Sequence, residues 1–284
     1  MKENRKEELL NIGGRLLKIE RPWVMGILNL TPDSFYPESR TLGVEEALEK
    51  VAVMIDEGVD IIDIGACSTR PGSETVGEEE EIRRLGNTLP AVREAFPDVI
   101  LSVDTFRSSV AEMCLEKWGV NIINDVSGGR DERMFETIAR NKAVYVLMHT
   151  RGNPSQMDSL CNYPRGVVTE VLGELAVRLH EARKAGVCDV IIDPGFGFAK
   201  NIDQNYELLT GLDRLKVLGC PILAALSRKR MVREVAGCGI SDSLAPTVAL
   251  NAAAIMKGAS IIRVHDVREG VATVKTIGKC LTSD

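Results

Sequence analysis

The sequence predicts an α/β fold, a closed TIM (β/α)8 barrel that forms a single domain. Eight short apolar runs each end in polar residues, and a segment with apolar residues at helical spacing follows each run. The alternation recurs every roughly 25 to 45 residues, the size of one strand and helix unit in such a barrel. The chain of 284 residues also has the length of one barrel domain. A doubly wound open sheet is the competing architecture, and eight regular units favour the barrel.

The predicted strands alternate with predicted helices along the chain. Residues 1–22 form an N-terminal extension and residues 23–284 the barrel. The second strand shows the expected pattern, because a period of two places Asp63 on the face opposite Ile62 and Ile64. One face of a barrel strand packs against helices and the other faces the interior. In chain order, the predicted strands are 23–29, 61–65, 99–104, 120–125, 143–149, 189–193, 221–227 and 260–265.

Composition and charge argue against several classes of partner. With a net charge of −6, the chain lacks the excess of basic residues that is typical of nucleic-acid-binding proteins. No stretch approaches the roughly 18 consecutive apolar residues of a transmembrane helix, and the N-terminus lacks the apolar core of a secretion signal. Seven cysteines without a Cys-x-x-Cys pair indicate reduced thiols. We therefore expect a cytoplasmic protein without a nucleic-acid or membrane partner.

Polar residues stand at the carboxyl ends of the predicted strands, where branched aliphatic residues would fill an ordinary barrel interior. Buried acids and amides need partners, so a set of them at one end indicates a ligand site. Barrel enzymes carry their chemistry at this C-terminal mouth. Any one of these residues taken alone could instead cap a helix or anchor a loop. The residues predicted to point inward are Asn29, Asp63, Asp104, Asn124, Met148, Asp193, Ser227, Arg263 and His265.

The predicted mouth is polarised by charge. Acids and amides follow the early and middle strands, whereas cations follow the last two strands, where barrel enzymes often bind phosphate. Because an ionised carboxylate accepts two parallel hydrogen bonds, Asp104, Asn124 and Asp193 could bind a flat heterocycle with adjacent N–H donors. These features predict a nitrogen heterocycle at one side and a diphosphate at the other. The cations are Arg228, Lys229, Arg230, Arg263 and His265.

The first strand ends in hard oxygen ligands. Asn29 is followed by Thr31 and Asp33. Amide, hydroxyl and carboxylate oxygens suit Mg2+. As a free-standing metal site this set would be weak, so we expect magnesium to be carried in with a diphosphate.

Eight loops carry recognisable motifs. They are MGILNLTPDSF (25–35), DIGACSTRPGSE (63–74), VDTFR (103–107), INDVSGG (123–129), MHTRGNP (148–154), DPGFGFAK (193–200), SRK (227–229) and RVHDV (263–267). Together they closely resemble the loops of dihydropteroate synthase, in the order of that family and from about residue 23 to the last helix. The resemblance implies a TIM barrel that joins p-aminobenzoate to the methylene of 6-hydroxymethyl-7,8-dihydropterin diphosphate. Pyrophosphate would leave and 7,8-dihydropteroate would form for folate synthesis.

The resemblance also implies a role for each motif residue. The pterin pocket would contain Asp104, Asn124, Asp193 and Lys229, bordered by Met148 and Phe198. The diphosphate would contact Arg263 and His265, with Asn29 on magnesium, and Val264 between them is a further substrate-binding residue. Two loops would close over it and help to form the p-aminobenzoate site, one with Thr69, Arg70 and Pro71 and the other with Asp33 and Phe35; Ser227 would border that site. The residues assigned to catalysis are Asn29, Asp33, Thr69, Arg70, Lys229, Arg263 and His265.

Two alternatives stay open. A pterin-binding methyltransferase that acts on methyltetrahydrofolate shares the barrel and the pterin-binding acids, but the NLTPDSF, STRPG, SRK and RVH segments favour dihydropteroate synthase. A non-catalytic barrel that binds pterin or serves as an assembly partner would carry degenerate loops, and these are intact. The resemblance further implies a homodimer through helices remote from the mouth and inhibition by sulfonamides, which mimic p-aminobenzoate. The chain departs from the family at Ala199, where glycine is frequent.

Overall fold

A computed structural model describes residues 7–30, 43–67, 76–152 and 160–282. In chain order the strands are β1 Leu9–Ile12, β2 Arg15–Lys18, β3 Trp23–Asn29, β4 Ile61–Gly65, β5 Ile100–Asp104, β6 Ile122–Asp125, β7 Val144–Met148, β8 Val190–Asp193, β9 Leu223–Ala224 and β10 Ile261–Val264. The α-helices are α1 Val44–Glu57, α2 Glu78–Ala95, α3 Ser108–Lys117, α4 Met134–Asn141, α5 Val167–Lys184, α6 Ile202–Thr210, α7 Arg230–Ala236, α8 Leu244–Met256 and α9 Val267–Thr282, and a 3-10 helix spans Leu212–Leu218. In these ranges, no helix has both the length and the apolarity to cross a bilayer.

Strands β3 to β10 form a parallel sheet that closes into a barrel. Their spatial order is β8, β7, β6, β5, β4, β3, β10, β9, so the first barrel strand pairs with the last. The two ends of this order meet through a parallel bridge between Ile192 and Ile222. Helices separate the strands along the chain. The predicted TIM barrel is therefore confirmed.

The N-terminal extension contains a β-hairpin that was not predicted from the sequence. Strands β1 and β2 pair antiparallel around Gly13 and Gly14, whose φ angles of 59° and 84° suit a two-residue turn. Leu10 and Ile12 are buried and pack in one cluster with Trp23, at the start of β3. The hairpin therefore covers the amino-terminal end of the barrel.

Side chains of the barrel strands alternate between two apolar layers. On β4, Ile61 packs inside the barrel, whereas Ile62 and Ile64 pack between the strands and the helices. The two-residue period predicted this alternation. Along the same inner face as Ile61, the next residue toward the carboxyl end is Asp63, so the interior changes from apolar to polar at the mouth.

The seventh barrel strand is shorter than predicted. The sequence indicated a strand over 221–227, and β9 contains only Leu223 and Ala224. The backbone turns soon afterwards, since the amide of Lys229 donates to the carbonyl of Leu226 at 3.2 Å. Groups used in this turn cannot join the sheet. The turn places the SRK segment directly above the strand.

Candidate active site

Asp63 lies at the centre of a hydrogen-bond cluster inside the mouth. Its side chain is 0% exposed. Oδ1 accepts from Ser102 Oγ at 2.6 Å, and Oδ2 accepts from Asn124 Nδ2 at 3.0 Å and from Arg263 Nε at 2.7 Å. A buried carboxylate needs such donors because it has lost its hydration. The cluster joins β4, β5, β6 and β10 and fixes the side chains of Asn124 and Arg263.

Arg263 is held between two carboxylates. Its Nε donates to Asp63, and its Nη2 donates to Asp104 Oδ2 at 2.9 Å. Burial disfavours the charged guanidinium, but Asp63 and Asp104 outweigh that effect and raise the pKa of Arg263. Burial also raises the pKa of Asp104 to about 7, although the charge of Arg263 acts in the opposite direction. Asp104 can therefore gain or lose a proton near neutral pH.

Asp193 and Lys229 supply a second pair of opposite charges. Asp193 ends β8, and its Oδ1 accepts from the amide of Gly195 at 2.7 Å. The Lys229 ammonium donates to the carbonyl of Phe196 and lies 5.0 Å from the centre of the Phe198 ring. Burial raises the pKa of Asp193 and lowers the pKa of Lys229 to about 8, while the charge of each opposes the shift of the other. Acid, cation and aromatic ring together suit a flat, polar heterocycle.

The loops after β9 and β10 are tied to each other. Ser227 Oγ lies 2.9 Å from His265 Nδ1. Arg228 adopts a φ of 57°, and its guanidinium donates to both oxygens of Asp266 at 2.6 and 3.0 Å. Such a two-point contact fixes orientation as well as distance. These contacts therefore join the loop that carries Arg228 to the loop that carries His265.

Comparison with known proteins identifies the family. A family model described as "Pterin binding enzyme" matches residues 25–265. The dihydropteroate synthase of Clostridium beijerinckii is 40% identical over 271 residues, which cover 94% of this chain and 97% of that protein. The chain belongs to the dihydropteroate synthase family. This confirms the resemblance read from the loop motifs.

Two solved structures agree with this membership. The dihydropteroate synthase of Xanthomonas albilineans with 4-aminobenzoic acid matches with a TM-score of 0.89 and 36% identity, over 98% of this chain and 100% of that one. The enzyme of Thermus thermophilus in complex with 6HMPPP matches with a TM-score of 0.84 and 38% identity, over 96% and 99% of the two chains. Some relatives are much longer: the chain spans 34% of the folic acid synthesis protein fol1 of Pneumocystis carinii, to which it is 42% identical over 255 residues.

Asn29 and Met148 lie where the sequence placed them, at strand ends that face the mouth. Asn29 is exposed at the end of β3, and its Oδ1 would lie 3.5 Å from a Cβ added to Gly65. Met148 is buried and stands in register with Asp193 on the neighbouring strand. Across the described ranges, no group of three or more His, Cys, Asp or Glu side chains could hold a metal ion.

Two residues of the predicted mouth direct their side chains elsewhere. Arg230 begins α7, is exposed and pairs with Glu234 one turn later at 3.3 Å, so this ion pair runs along its own helix. Val264 is buried in an apolar cluster with Val24 and Val267 on the helix side of β10. The two-residue period explains this, because Val264 alternates with Arg263. A contact between Val264 and a ligand in the mouth would have to involve its backbone.

Five residues implied by the family resemblance lie outside the described residues. They are Asp33, Phe35, Thr69, Arg70 and Pro71. Their roles stay predictions. They belong to the segments that follow β3 and β4, two of the strands that end at the mouth.

A buried ionisable cluster beside Asp193 was not predicted. Lys200 is 5% exposed and its Nζ lies 3.0 Å from His149 Nδ1, while His149 Nε2 lies 3.0 Å from Glu174 Oε2. Burial lowers the pKa of Lys200 to about 7 and that of His149 to about 4. No sequence spacing marks the three residues as partners, because they come from three separate segments. The only indication in the sequence was that His149 ends a predicted strand, 143–149.

Proposed function

We propose that this protein condenses p-aminobenzoate with 6-hydroxymethyl-7,8-dihydropterin diphosphate, releasing pyrophosphate and forming 7,8-dihydropteroate. The observation that carries the proposal is the polarised mouth of a chain in the dihydropteroate synthase family. On one side of the mouth, Asp63 and Asp104 hold Arg263. On the other side, Asp193 and Lys229 carry opposite charges that stabilise each other. A heterocycle that carries a diphosphate needs both kinds of group.

The pterin ring would bind to the acids and amide of the middle strands. Asp104 and Asp193 can each accept from adjacent N–H groups of the ring. The Nδ2 group of Asn124 already donates to Asp63, so the amide carbonyl of Asn124 is turned away from that carboxylate and can accept from the ring. Lys229 would donate to a ring carbonyl or nitrogen. Met148 and Phe198 would border the flat faces.

The diphosphate would bind to Arg263 and His265. Two donors of Arg263 are engaged by carboxylates, which leaves Nη1 for a phosphate oxygen. Ser227 contacts Nδ1 of His265 and orients the ring. These groups would stabilise negative charge on the departing pyrophosphate. The electron-rich dihydropterin can carry the positive charge left at its methylene, and the neutral amine of p-aminobenzoate attacks there without a strong base.

We also propose a magnesium ion that accompanies the diphosphate. Asn29 would bind it through Oδ1, since an amide oxygen is a hard ligand and the side chain is exposed at the mouth. A single protein donor fits, because Mg2+ usually keeps waters and substrate phosphate oxygens as its other ligands. When bound, the ion would neutralise charge on the leaving group.

The test is pyrophosphate release by the purified protein with dihydropterin diphosphate and magnesium, with and without p-aminobenzoate, and with the product checked by mass. We expect release coupled to dihydropteroate. Lys229→Ala should weaken binding of the pterin diphosphate, and Arg263→Ala should reduce turnover on the order of 10²-fold. Near-normal kinetics for both variants would contradict the site assignment. Tight pterin binding without any product would instead support the non-catalytic barrel.

We further infer a homodimer through α8 and α9. Helix α8, LAPTVALNAAAIM, has no charged residue, and its polar residues Thr247 and Asn251 are buried. A helix whose outer face is apolar is normally covered by another element. Ala245, Ala249 and Met256 are nevertheless exposed. A groove of about 250 Å³ between the two helices is lined by Val248, Ala252, Glu269, Ala272, Thr273, Thr276 and Ile277.

Light scattering after size-exclusion chromatography tests the homodimer. The protein should elute with the mass of two chains, and Ala249→Glu should shift it to one chain by placing a charge in the apolar face. Val177→Glu, at an exposed position on α5, is the matched control and should stay dimeric. A wild-type mass of one chain would contradict the inference.

We also infer a cytoplasmic location. All seven cysteines belong to the described part of the chain, and none of them forms a disulfide. Thiols persist in a reducing compartment. Cell fractionation that recovered the protein outside the cytoplasm would contradict this inference.

A further inference from the structure

Lys200 is a buried lysine that the proposed mechanism does not use. Its side chain is 5% exposed, and its ammonium contacts three acceptors: the carbonyl of Gly195 at 2.9 Å, the carbonyl of Phe198 at 2.9 Å and His149 Nδ1 at 3.0 Å. An ammonium has three hydrogens, so every donor is used within the protein. A charge buried in this way is costly unless it is hydrogen-bonded, and these three contacts supply that compensation.

The contacts of Lys200 lie in the loop after β8. Gly195, Gly197 and Ala199 all have positive φ angles, of 69°, 80° and 50°, so the loop follows a path that few residues adopt. A Cβ at Gly195 would lie 1.9 Å from the carbonyl oxygen of His149, which shows how closely the loop packs on the exit of β7. Lys200 bonds to two carbonyls of this loop. Lys200 therefore stabilises a compact loop whose backbone is not held by the hydrogen bonds of a strand or a helix.

This loop carries the contacts of the pterin side. The Gly195 amide donates to Asp193, the Phe196 carbonyl accepts from Lys229, and the Phe198 ring lies under the Lys229 ammonium. A small displacement of the loop would move acid, cation and ring together. The diphosphate side, at Arg263, is held by other elements, namely β4 and β5.

Further residues support Lys200 and the loop on the side of β7 and α5. Burial, together with the charge of Lys200, lowers the pKa of His149 to about 4, so the imidazole is neutral, accepts at Nδ1 and donates from Nε2 to Glu174 at 3.0 Å. Tyr163 donates its hydroxyl to the carbonyl of Ala199 at 2.9 Å. Arg151 lies 3.9 Å from the centre of the Tyr163 ring and pairs with Glu174. The loop is thus braced from β7, α5 and the segment between them.

We propose that Lys200 is a positioning residue that shapes the pterin pocket and leaves the diphosphate site unaffected. The inference rests on the proposed function, because it assumes that the loop after β8 borders a pterin. Lys200 would touch no substrate. It would act through the loop that carries Phe196 and Phe198 and, through them, on Lys229.

Calorimetric titration with two probes separates the two ends of the mouth. The first is 6-hydroxymethyl-7,8-dihydropterin, and the second is inorganic pyrophosphate with magnesium. Lys200→Met keeps the length of the side chain and removes its donors, and it should raise the Kd of the pterin by roughly tenfold or more while the Kd of pyrophosphate stays unchanged. Lys200→Gln keeps two N–H donors on a shorter chain and should recover part of the pterin affinity. Lys117→Met, at an exposed position in the last turn of α3, is the matched control.

An unchanged pterin Kd in folded Lys200→Met would overturn the inference, as would an equal loss of pterin and pyrophosphate binding. If Lys200→Met does not fold by circular dichroism, the same comparison is decided with Lys200→Gln. Wild-type protein that binds pyrophosphate but no pterin would instead overturn the proposed function, and the inference with it.

Discussion

Replacing Asp63 by asparagine tests whether the buried carboxylate holds Arg263 in place. Asparagine can keep the existing contacts, because its carbonyl can accept from Asn124 and Arg263 while its NH2 group donates to the hydroxyl of Ser102. The substitution therefore removes the charge and preserves the geometry. Asp63→Ala removes the charge and all three acceptor contacts. The pair of variants separates electrostatics from hydrogen bonding.

The expected cost follows from what Arg263 retains. Removing one partner of a buried ion pair costs about 3 to 5 kcal/mol, since the other charge is left uncompensated. Arg263 keeps Asp104 at 2.9 Å, so Asp63→Asn should cost nearer about 2 kcal/mol. Asp63→Ala also leaves three donors without their acceptor, at about 1 kcal/mol each, and should cost about 5 kcal/mol. With an unfolding entropy of about 2.1 cal/mol/K per residue, a loss of about 2 kcal/mol lowers the Tm of a chain of 284 residues by roughly 3 °C.

Urea unfolding followed by circular dichroism measures the loss of stability, and pyrophosphate release measures turnover. Asp56→Asn, at an exposed aspartate on α1, is the matched control and should change the free energy of unfolding by less than about 0.5 kcal/mol. Turnover should fall in Asp63→Asn, because Arg263 is less firmly oriented. If Asp63→Asn unfolds at the wild-type midpoint and turns over at the wild-type rate, the charge of Asp63 does not hold Arg263 in place.

Three further predictions concern a helix end, one carboxyl group and the p-aminobenzoate site. Lys142 follows α4 with a φ of 51°, so Lys142→Gly should stabilise the protein by about 1 kcal/mol in urea unfolding, whereas Lys117→Gly inside the last turn of α3 should destabilise it by about 1 kcal/mol. Burial raises the pKa of Asp104 from 3.8 to about 7, so the folded protein keeps a proton that the unfolded chain loses, and stability from this group falls as pH rises from about 4 to about 7. Asp104→Asn should remove this component from the pH series of unfolding midpoints. Sulfonamides should compete with p-aminobenzoate in steady-state kinetics, and a noncompetitive pattern would count against the p-aminobenzoate site assigned above.

The barrel could be predicted from sequence because its strands are buried on both faces and end in polar residues. Each strand therefore appears as an apolar run with a clear end. The hairpin was missed because β1 and β2 have only four residues each, although the Gly13 and Gly14 pair between them is a recognised turn signal. The short β9 was overestimated because hydrophobicity marks burial, while strand length depends on which backbone groups enter the ladder.

The site was predicted in part. The two-residue period placed Asp63 in the interior, but no local pattern shows that it contacts Arg263, two hundred residues later; only closure of the barrel does that. Lys200 was missed because it precedes α6, where a cation looks like an exposed loop residue. Its inward direction depends on the folded loop and on Asn201, which caps α6 together with Gln204. The pattern Asn-x-x-Gln is visible in the sequence, whereas the burial of Lys200 is not.

Asp104 and Lys229, both near the predicted pterin pocket, should change their protonation in opposite directions when the ring binds. Burial raises the pKa of Asp104 to about 7 and lowers that of Lys229 to about 8, so both pKa values lie close to neutral pH. Ring N–H groups that donate to Asp104 favour its charged form, and a ring acceptor for Lys229 favours the ammonium. Binding should thus lower the first pKa and raise the second, and a proton lost by Asp104 is matched by one gained at Lys229. Pterin binding can be measured by calorimetry at about pH 7.5, midway between these two pKa values, in buffers of different ionisation enthalpy. It should show little net proton exchange in wild-type protein and more uptake in Asp104→Asn, because a proton lost by Asp104 no longer offsets the one gained at Lys229. Equal proton uptake in both proteins would contradict the coupling.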